Sequence, residues 1–219
     1  DSTVPRKLVA FRELGHVRLK WFAPERNEDV VSYDIYRSDG FMKPPQLIAT
    51  VTGTDYIDSS LVKDRAYYYH VVAVGRNGRR SRPSNEDNAK ALSKPRFWDA
   101  EMVEHTIPAR ISLGESVKAE IIVRNTGSKE WNLGSGEGQV RMLLNCTQQW
   151  GRQDEELLPK LYLEDGVVKP GETVRIAIPY AALSEGKFEN HWVLCLDLPD
   201  KPRVYFGTPL LVETVVTPR

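Results

Sequence analysis

The chain has 219 residues, of which 41% are apolar and 27% charged; these are globular values, no stretch has the bias of a disordered tail, and the length favours two domains over one. Thirty basic and thirty acidic residues cancel, so there is none of the net basic field that nucleic acids and membrane surfaces select, and neither is expected as a partner. No apolar run approaches the roughly 20 residues of a membrane span, and residues 1–15 lack the apolar core of a signal peptide, so the sequence reads as a mature or excised fragment.

Short alternating runs dominate from the start. Val17, Leu19 and Trp21 alternate with Arg18 and Lys20; Tyr33, Ile35 and Tyr36 form a second run, Leu47–Val51 a third and Tyr67–Val74 a fourth. Such runs, rich in aromatic and β-branched residues and bounded by Gly, Pro, Asn and Asp, predict strands of a β-sandwich, and no helix-length i, i+3, i+4 stripe competes with them. By parity Tyr67, Tyr69, Val71 and Ala73 share one face, expected to be core. The alternation lapses in the polar stretch 86–96, which places a domain boundary near Ala89–Pro95 and gives domains of 1–92 and 93–219.

Alternation resumes over Val117–Arg124, Val140–Leu144, Thr173–Ile178, His191–Leu196 and Leu210–Val216, separated by turn signals such as Asn125-Thr126-Gly127 and Lys169-Pro170-Gly171-Glu172. Asn125-Thr126-Gly127 is expected to reverse the chain through a glycine at positive φ, returning Trp131 to the sandwich. Gln148–Leu163 is the ambiguous piece, with room for a short helical turn ahead of Pro159. Cys146 and Cys195 are too few for a disulfide framework and fit either two buried thiols or one inter-strand bridge, and Asn145-Cys146-Thr147 is a glycosylation sequon. The fold class is all-β, two tandem sandwiches.

Several blocks carry family resemblances. In the first domain, "VRLKW" ends in Trp21, "SYDIYRS" follows, Leu61 stands six residues before Tyr67, and "YYYHVVAVGRNGRRSRPSNE" closes the pattern. On these blocks residues 5–90 resemble a fibronectin type III domain, which implies a core built on Trp21, Leu61 and Tyr67. In the second, "VRNTGSKEW", "VKPGETVRIAIPY", "GKFENHWVLCL" and "VYFGTPLLVETVV" come in order, and residues 97–216 resemble an immunoglobulin-like sandwich of the four-tryptophan type found in selective-autophagy receptors and many bacterial proteins. Only Trp131 and Trp192 of that set are present; Ile121 and Leu211 stand where the others fall, the pattern of a core that keeps burial and repacks. Trp131 and Trp192 are accordingly expected in the core.

No convergent chemistry is legible. His16, His70, His105 and His191 are scattered without metal-ligand spacing, and no nucleophile elbow or phosphate loop occurs. Clusters such as Asp154-Glu155-Glu156 and Glu164-Asp165 read as solvated surface. The chain is expected not to be an enzyme and to need no cofactor or metal. Candidate glycan platforms outside the core parity are Phe97, Trp98, Trp150, Tyr162 and Tyr68; the best is Trp150, with Gln148, Gln149, Arg152 and Asp154 beside it for sugar hydroxyls, the alternative being a ring that caps one end of the sandwich. Phe97 and Trp98, at the junction, are expected to pack one domain on the other. The loop Gly75–Pro83 carries Arg76, Arg79, Arg80 and Arg82, a solvated turn or a surface for an acidic protein partner.

Together the resemblances imply a monomeric, non-catalytic module pair of a larger extracellular or cell-surface protein. In bacteria such modules accompany glycoside hydrolases, so the expected partners are the other domains of that polypeptide and weakly held polysaccharide. The competing reading is a protein-interaction or adhesion tandem using the Arg-rich loop or a sheet edge; an intracellular adaptor is a third.

Overall fold

The computed structural model describes residues 2–134, 138–145, 160–161, 166–196, 198 and 204–219, and every regular element among them is a β-strand. The chain divides into two compact units, Asp1–Lys94 and Pro95–Arg219.

The first unit contains β1 (Arg6–Glu13), β2 (His16–Phe22), β3 (Val30–Ser38), β4 (Gln46–Val51), β5 (Asp55–Asp58), β6 (Ala66–Gly75) and β7 (Asp87–Lys90). They form two sheets, β1-β2-β5 and β4-β3-β6-β7. Alternation decides which side chains face inward. Val17, Leu19 and Trp21 of β2 meet Tyr33 and Ile35 of β3 and Tyr67, Tyr69, Val71 and Ala73 of β6, all buried in one core. Trp21 stands edge-on to Tyr33 with ring centroids 5.5 Å apart. The first strand is held to the last by side chains: Asn85 accepts from Leu8 N–H and donates to the Leu8 carbonyl, both at 2.9 Å, and Asp87 accepts from Ala10 N–H at 2.8 Å.

The second unit contains β8 (Ala100–His105), β9 (Arg110–Ser112), β10 (Ser116–Asn125), β11 (Trp131–Leu133), β12 (Val140–Asn145), β13 (Lys160–Leu161), β14 (Gly166–Val168), β15 (Thr173–Ala181), β16 (Gly186–Leu196) and β17 (Val204–Thr217). One sheet runs β15-β10-β8, the other β14-β11-β12-β16-β17-β9 with β13 on β12. Ala119, Ile121 and Val123 from one sheet pack with Trp131, Trp192, Leu194, Leu196, Leu210 and Val212 from the other. Trp131 is fully buried, its ring 5.6 Å from Phe206. Among the described residues the indole N–H groups of Trp21, Trp131 and Trp192 have no hydrogen-bond partner, so these rings act as apolar volume.

Two expectations change. Ile121 fills the core as expected, but Leu211 does not: Leu210, Val212, Thr214 and Val216 point inward along β17, and strand alternation puts Leu211 half-exposed on the opposite face. Gly127 is needed for a different reason from the one inferred. It is absent from the residues at positive φ; a Cβ there would instead lie 2.7 Å from Asp99 N and 2.8 Å from the Phe97 carbonyl oxygen. The segment 96–99 runs across this glycine, bound by Thr126 N–H to Asp99 O, Ser128 N–H to Arg96 O and Lys129 N–H to Phe97 O. Close backbone approach, not chain reversal, selects glycine at 127.

Candidate functional site

Among the described residues polar groups converge at several places besides the ion-paired face of Glu13, His16, Arg18, Lys20 and Asp55, and in three of them the bonds show what the convergence does. In the first unit the centre is Asp58, fully buried at the end of β5. It accepts from Tyr69 Oη at 3.0 Å, from Arg37 at 2.8 and 3.1 Å, and from Ser60 N–H and hydroxyl, both at 3.0 Å. Arg37 continues to the Ser60 carbonyl at 2.9 Å. Burial, reinforced by the adjacent Asp58 carboxylate, pushes the Tyr69 phenol well above the ordinary tyrosine range. Next to it Tyr67 accepts from Val62 N–H at 3.1 Å, with the guanidinium groups of Arg37 and Arg65 over its ring at 5.1 and 5.6 Å, and Leu61 packs half-buried on the core beside them. Five donor contacts commit the oxygens of this carboxylate to neighbouring groups of the fold. This cluster fixes the crossing of β5 and β6 between the sheets.

The second place is the hairpin between β6 and β7. Gly78, at φ 76°, donates to the Gly75 carbonyl; Gly75 donates to Arg79 O, Arg79 N–H to Asn77 Oδ1 at 3.0 Å, and Arg76 N–H to Asp29 O. The turn is therefore pinned, and its four arginines differ. Arg80 lies 2.8 Å from Oδ2 of the buried Asp34, outside hydrogen-bond geometry, as a contact ion pair; Thr50 donates to Oδ1 of the same carboxylate at 2.7 Å. Arg76, Arg79 and Arg82 are exposed. A groove of about 540 Å³ beside the hairpin is lined by Arg26, Arg79 and Arg80 but also by Glu28 and Asp29. The lining carries three positive and two negative side chains, and the buried Asp34 pairs with Arg80.

The third place is the corner that "VRNTGSKEW" builds in the second unit. Asn125, fully buried, donates from Nδ2 to the carbonyls of Lys129 at 2.8 Å and Val168 at 3.0 Å and accepts at Oδ1 from Gly127 N–H at 3.0 Å. Its own N–H donates to Glu172 O and its carbonyl accepts from Gly171 N–H. The Asn-Thr-Gly and Pro-Gly-Glu turns, 45 residues apart in sequence (Asn125 to Pro170), are thus one joint. It sets Trp131 at the head of β11, opposite Val168 of β14.

The remaining sequence candidates fall as follows. Trp150, Gln148, Gln149, Arg152, Asp154, Tyr162, Cys146, the two acidic clusters and the helical turn expected before Pro159 lie outside the described residues. Cys195 is buried in β16. Trp98 packs on Phe206 and Phe97 stands edge-on to Trp98 under the Lys129 ammonium, contacts that lie inside the second unit. Tyr68 lies on the outer face of its sheet, 5.9 Å from Phe41. His70 stacks on Tyr36 at 4.9 Å, and burial lowers its pKa against the partly opposing Glu86. Among the described residues no three His, Cys, Asp or Glu gather as a metal site, and no helix is long and apolar enough to cross a membrane. Asp58 and Asp34 were missed in the sequence because their partners come from elsewhere in the chain, and Asn125 was read there as a turn residue without its bond to Val168.

No protein-family model matches the chain, and no curated protein matches it. Among solved structures it is similar to a Fn3-like protein from Clostridium thermocellum, at 32% identity over 40% of this chain and 90% of that one, with a TM-score of 0.35. It is also similar to a β-1,2-glucanase from Parabacteroides distasonis, at 24% identity over 42% of this chain and a TM-score of 0.36. A third is pectate lyase PelI from Erwinia chrysanthemi, at 20% identity over 38% of this chain and a TM-score of 0.34. The matched parts make up 12% of the glucanase and 27% of the lyase.

Proposed function

We propose that this chain is a pair of non-catalytic accessory modules of a larger secreted or cell-surface protein that acts on polysaccharide. In this role the modules space and orient the acting domain and make at most weak contact with the polymer themselves. The observation that carries the reading is where the buried polar groups point. Asp58, Asp34 and Asn125 are each turned toward neighbouring strands and held there, so these convergent groups among the described residues maintain the corners of the fold. The resemblance of residues 5–90 to fibronectin type III and of 97–216 to the bacterial immunoglobulin-like type supports the polysaccharide setting.

The chain alone, incubated with a panel of soluble and insoluble polysaccharides, is expected to release no reducing ends and to be retained weakly or not at all. Product release by the isolated chain would overturn the non-catalytic reading.

A further inference from the structure

The tip of the hairpin between β6 and β7 holds Asn77-Gly78, the one Asn-Gly pair in the sequence. Both residues are exposed, so water and hydroxide reach them freely. The side-chain amide carbon of an asparagine stands one five-membered ring away from the backbone nitrogen of the next residue. A side chain on that next residue ordinarily screens the nitrogen. Gly78 has none, and a Cβ built there would find no atom within 4 Å, so the approach is open.

The turn adds chemistry to this openness. Asn77 Oδ1 accepts from Arg79 N–H at 3.0 Å, which holds the amide against the backbone that follows it. The same N–H is placed to stabilise the negative charge that develops on Oδ1 when a nucleophile adds to Cγ. Arg76 and Arg79, exposed on either side of the pair, favour the deprotonated form of the Gly78 nitrogen. One contact opposes the step: Gly78 N–H donates to the Gly75 carbonyl at 2.8 Å. That bond lies at a solvent-exposed tip, where local opening leaves the sheet intact.

We propose that Asn77 is a site of spontaneous deamidation through a cyclic imide formed with Gly78. The Gly78 nitrogen, having lost its proton to hydroxide, bonds to Asn77 Cγ, and the Cγ–N bond breaks with release of ammonia. Water then opens the imide at either carbonyl, leaving aspartate at 77 or its isoaspartyl isomer, and no oxidant or reductant takes part. Asp39-Gly40 has the same spacing, but its carboxylate is engaged by Lys43 and Arg65, and a carboxylate is the poorer electrophile. The product changes the groove beside the hairpin. Asn77 lines it with Arg26, Arg79, Arg80, Glu28 and Asp29, so one new carboxylate makes three charges of each sign. The isoaspartyl form also lengthens the main chain by one methylene between 77 and 78, which the tight Gly75–Arg79 turn must absorb. The modification is independent of the polysaccharide reading.

Incubation of the whole folded chain in mildly alkaline and mildly acidic buffer tests it, followed by mass mapping and enzymatic methylation of isoaspartyl groups. The expected result is ammonia release with aspartyl and isoaspartyl products accumulating at residue 77, faster in the alkaline buffer, while circular dichroism shows the sheet retained. Asn77→Gln, which would need a six-membered ring, and Gly78→Ala, which restores the screening Cβ, should each slow conversion at this position at least about tenfold. Asn77→Gln carries the test if Gly78→Ala disturbs the turn, because Gly78 sits at φ 76°. An unchanged Asn77 would overturn the proposal. So would conversion there no faster than at the exposed Asn27 and Asn88, or an isoaspartyl yield that Asn77→Gln leaves unaltered.

Discussion

The side-chain amide of Asn125 donates to the Val168 carbonyl at 3.0 Å across 43 residues of chain, inside the corner that also seats Trp131. With its bonds to Lys129 O and from Gly127 N–H, this one carboxamide satisfies three backbone groups. Asn125→Ala strands two carbonyls and one N–H in a dry corner and should lower stability by roughly 3 kcal/mol in urea unfolding of the second unit. Asn125→Asp should be at least as damaging, since a carboxylate would face two carbonyl oxygens.

Gly127→Ala tests the close approach at the same corner. Its Cβ would meet Asp99 N at 2.7 Å and Phe97 O at 2.8 Å, both backbone, so the segment 96–99 must move; a loss of about 2–3 kcal/mol is expected from thermal unfolding. Gly53→Ala is the matched control, because no atom lies within 4 Å of its Cβ and its φ is not in the left-handed region; it should leave the midpoint unchanged or slightly raised.

The all-β fold was legible because strand parity is a local signal. Val17, Leu19 and Trp21, or Tyr67, Tyr69, Val71 and Ala73, declare their inward face within a single run, and all of them lie in the core of the first unit. Gly127 was misread, and Asp58 and Asp34 overlooked, for the converse reason. What each residue does depends on a partner brought from elsewhere: segment 96–99 over Gly127, Tyr69 and Arg37 on Asp58, Arg80 on Asp34. No periodicity records such encounters. Leu211 fell to a one-residue offset, which in a strand exchanges core for surface.

Tyr69→Phe removes the hydroxyl that donates to the buried Asp58 while Arg37 and Ser60 keep theirs. A loss of roughly 1.5–3 kcal/mol is expected, the range for a hydrogen bond to a charged group. Because the folded phenol titrates above its unfolded value, the wild type holds this contribution below pH 10 and loses it as pH rises further; Tyr69→Phe should show a flatter alkaline limb in pH-dependent unfolding.

His70 gives the opposite dependence on the acid side. Burial lowers its folded pKa, so above the unfolded value near 6.5 its contribution is intact. As pH falls below that value the unfolded chain takes up the proton first, and stability declines until the folded pKa is passed. His70→Phe, which retains a ring against Tyr36, should reduce the fall in unfolding midpoint between pH 7 and pH 5. Equal slopes in the two proteins would assign the acid dependence to other groups.

The most direct test of the proposed non-catalytic, positioning role is deletion of this chain from the larger polysaccharide-acting polypeptide that the proposal requires. Turnover of a small soluble oligosaccharide by the remaining protein should stay within about twofold, while release of sugar from the insoluble polymer should fall several-fold, as expected when orientation and effective concentration are lost. Equal loss on both substrates, with the remaining protein still folded, would place part of the reaction in this chain and contradict the role.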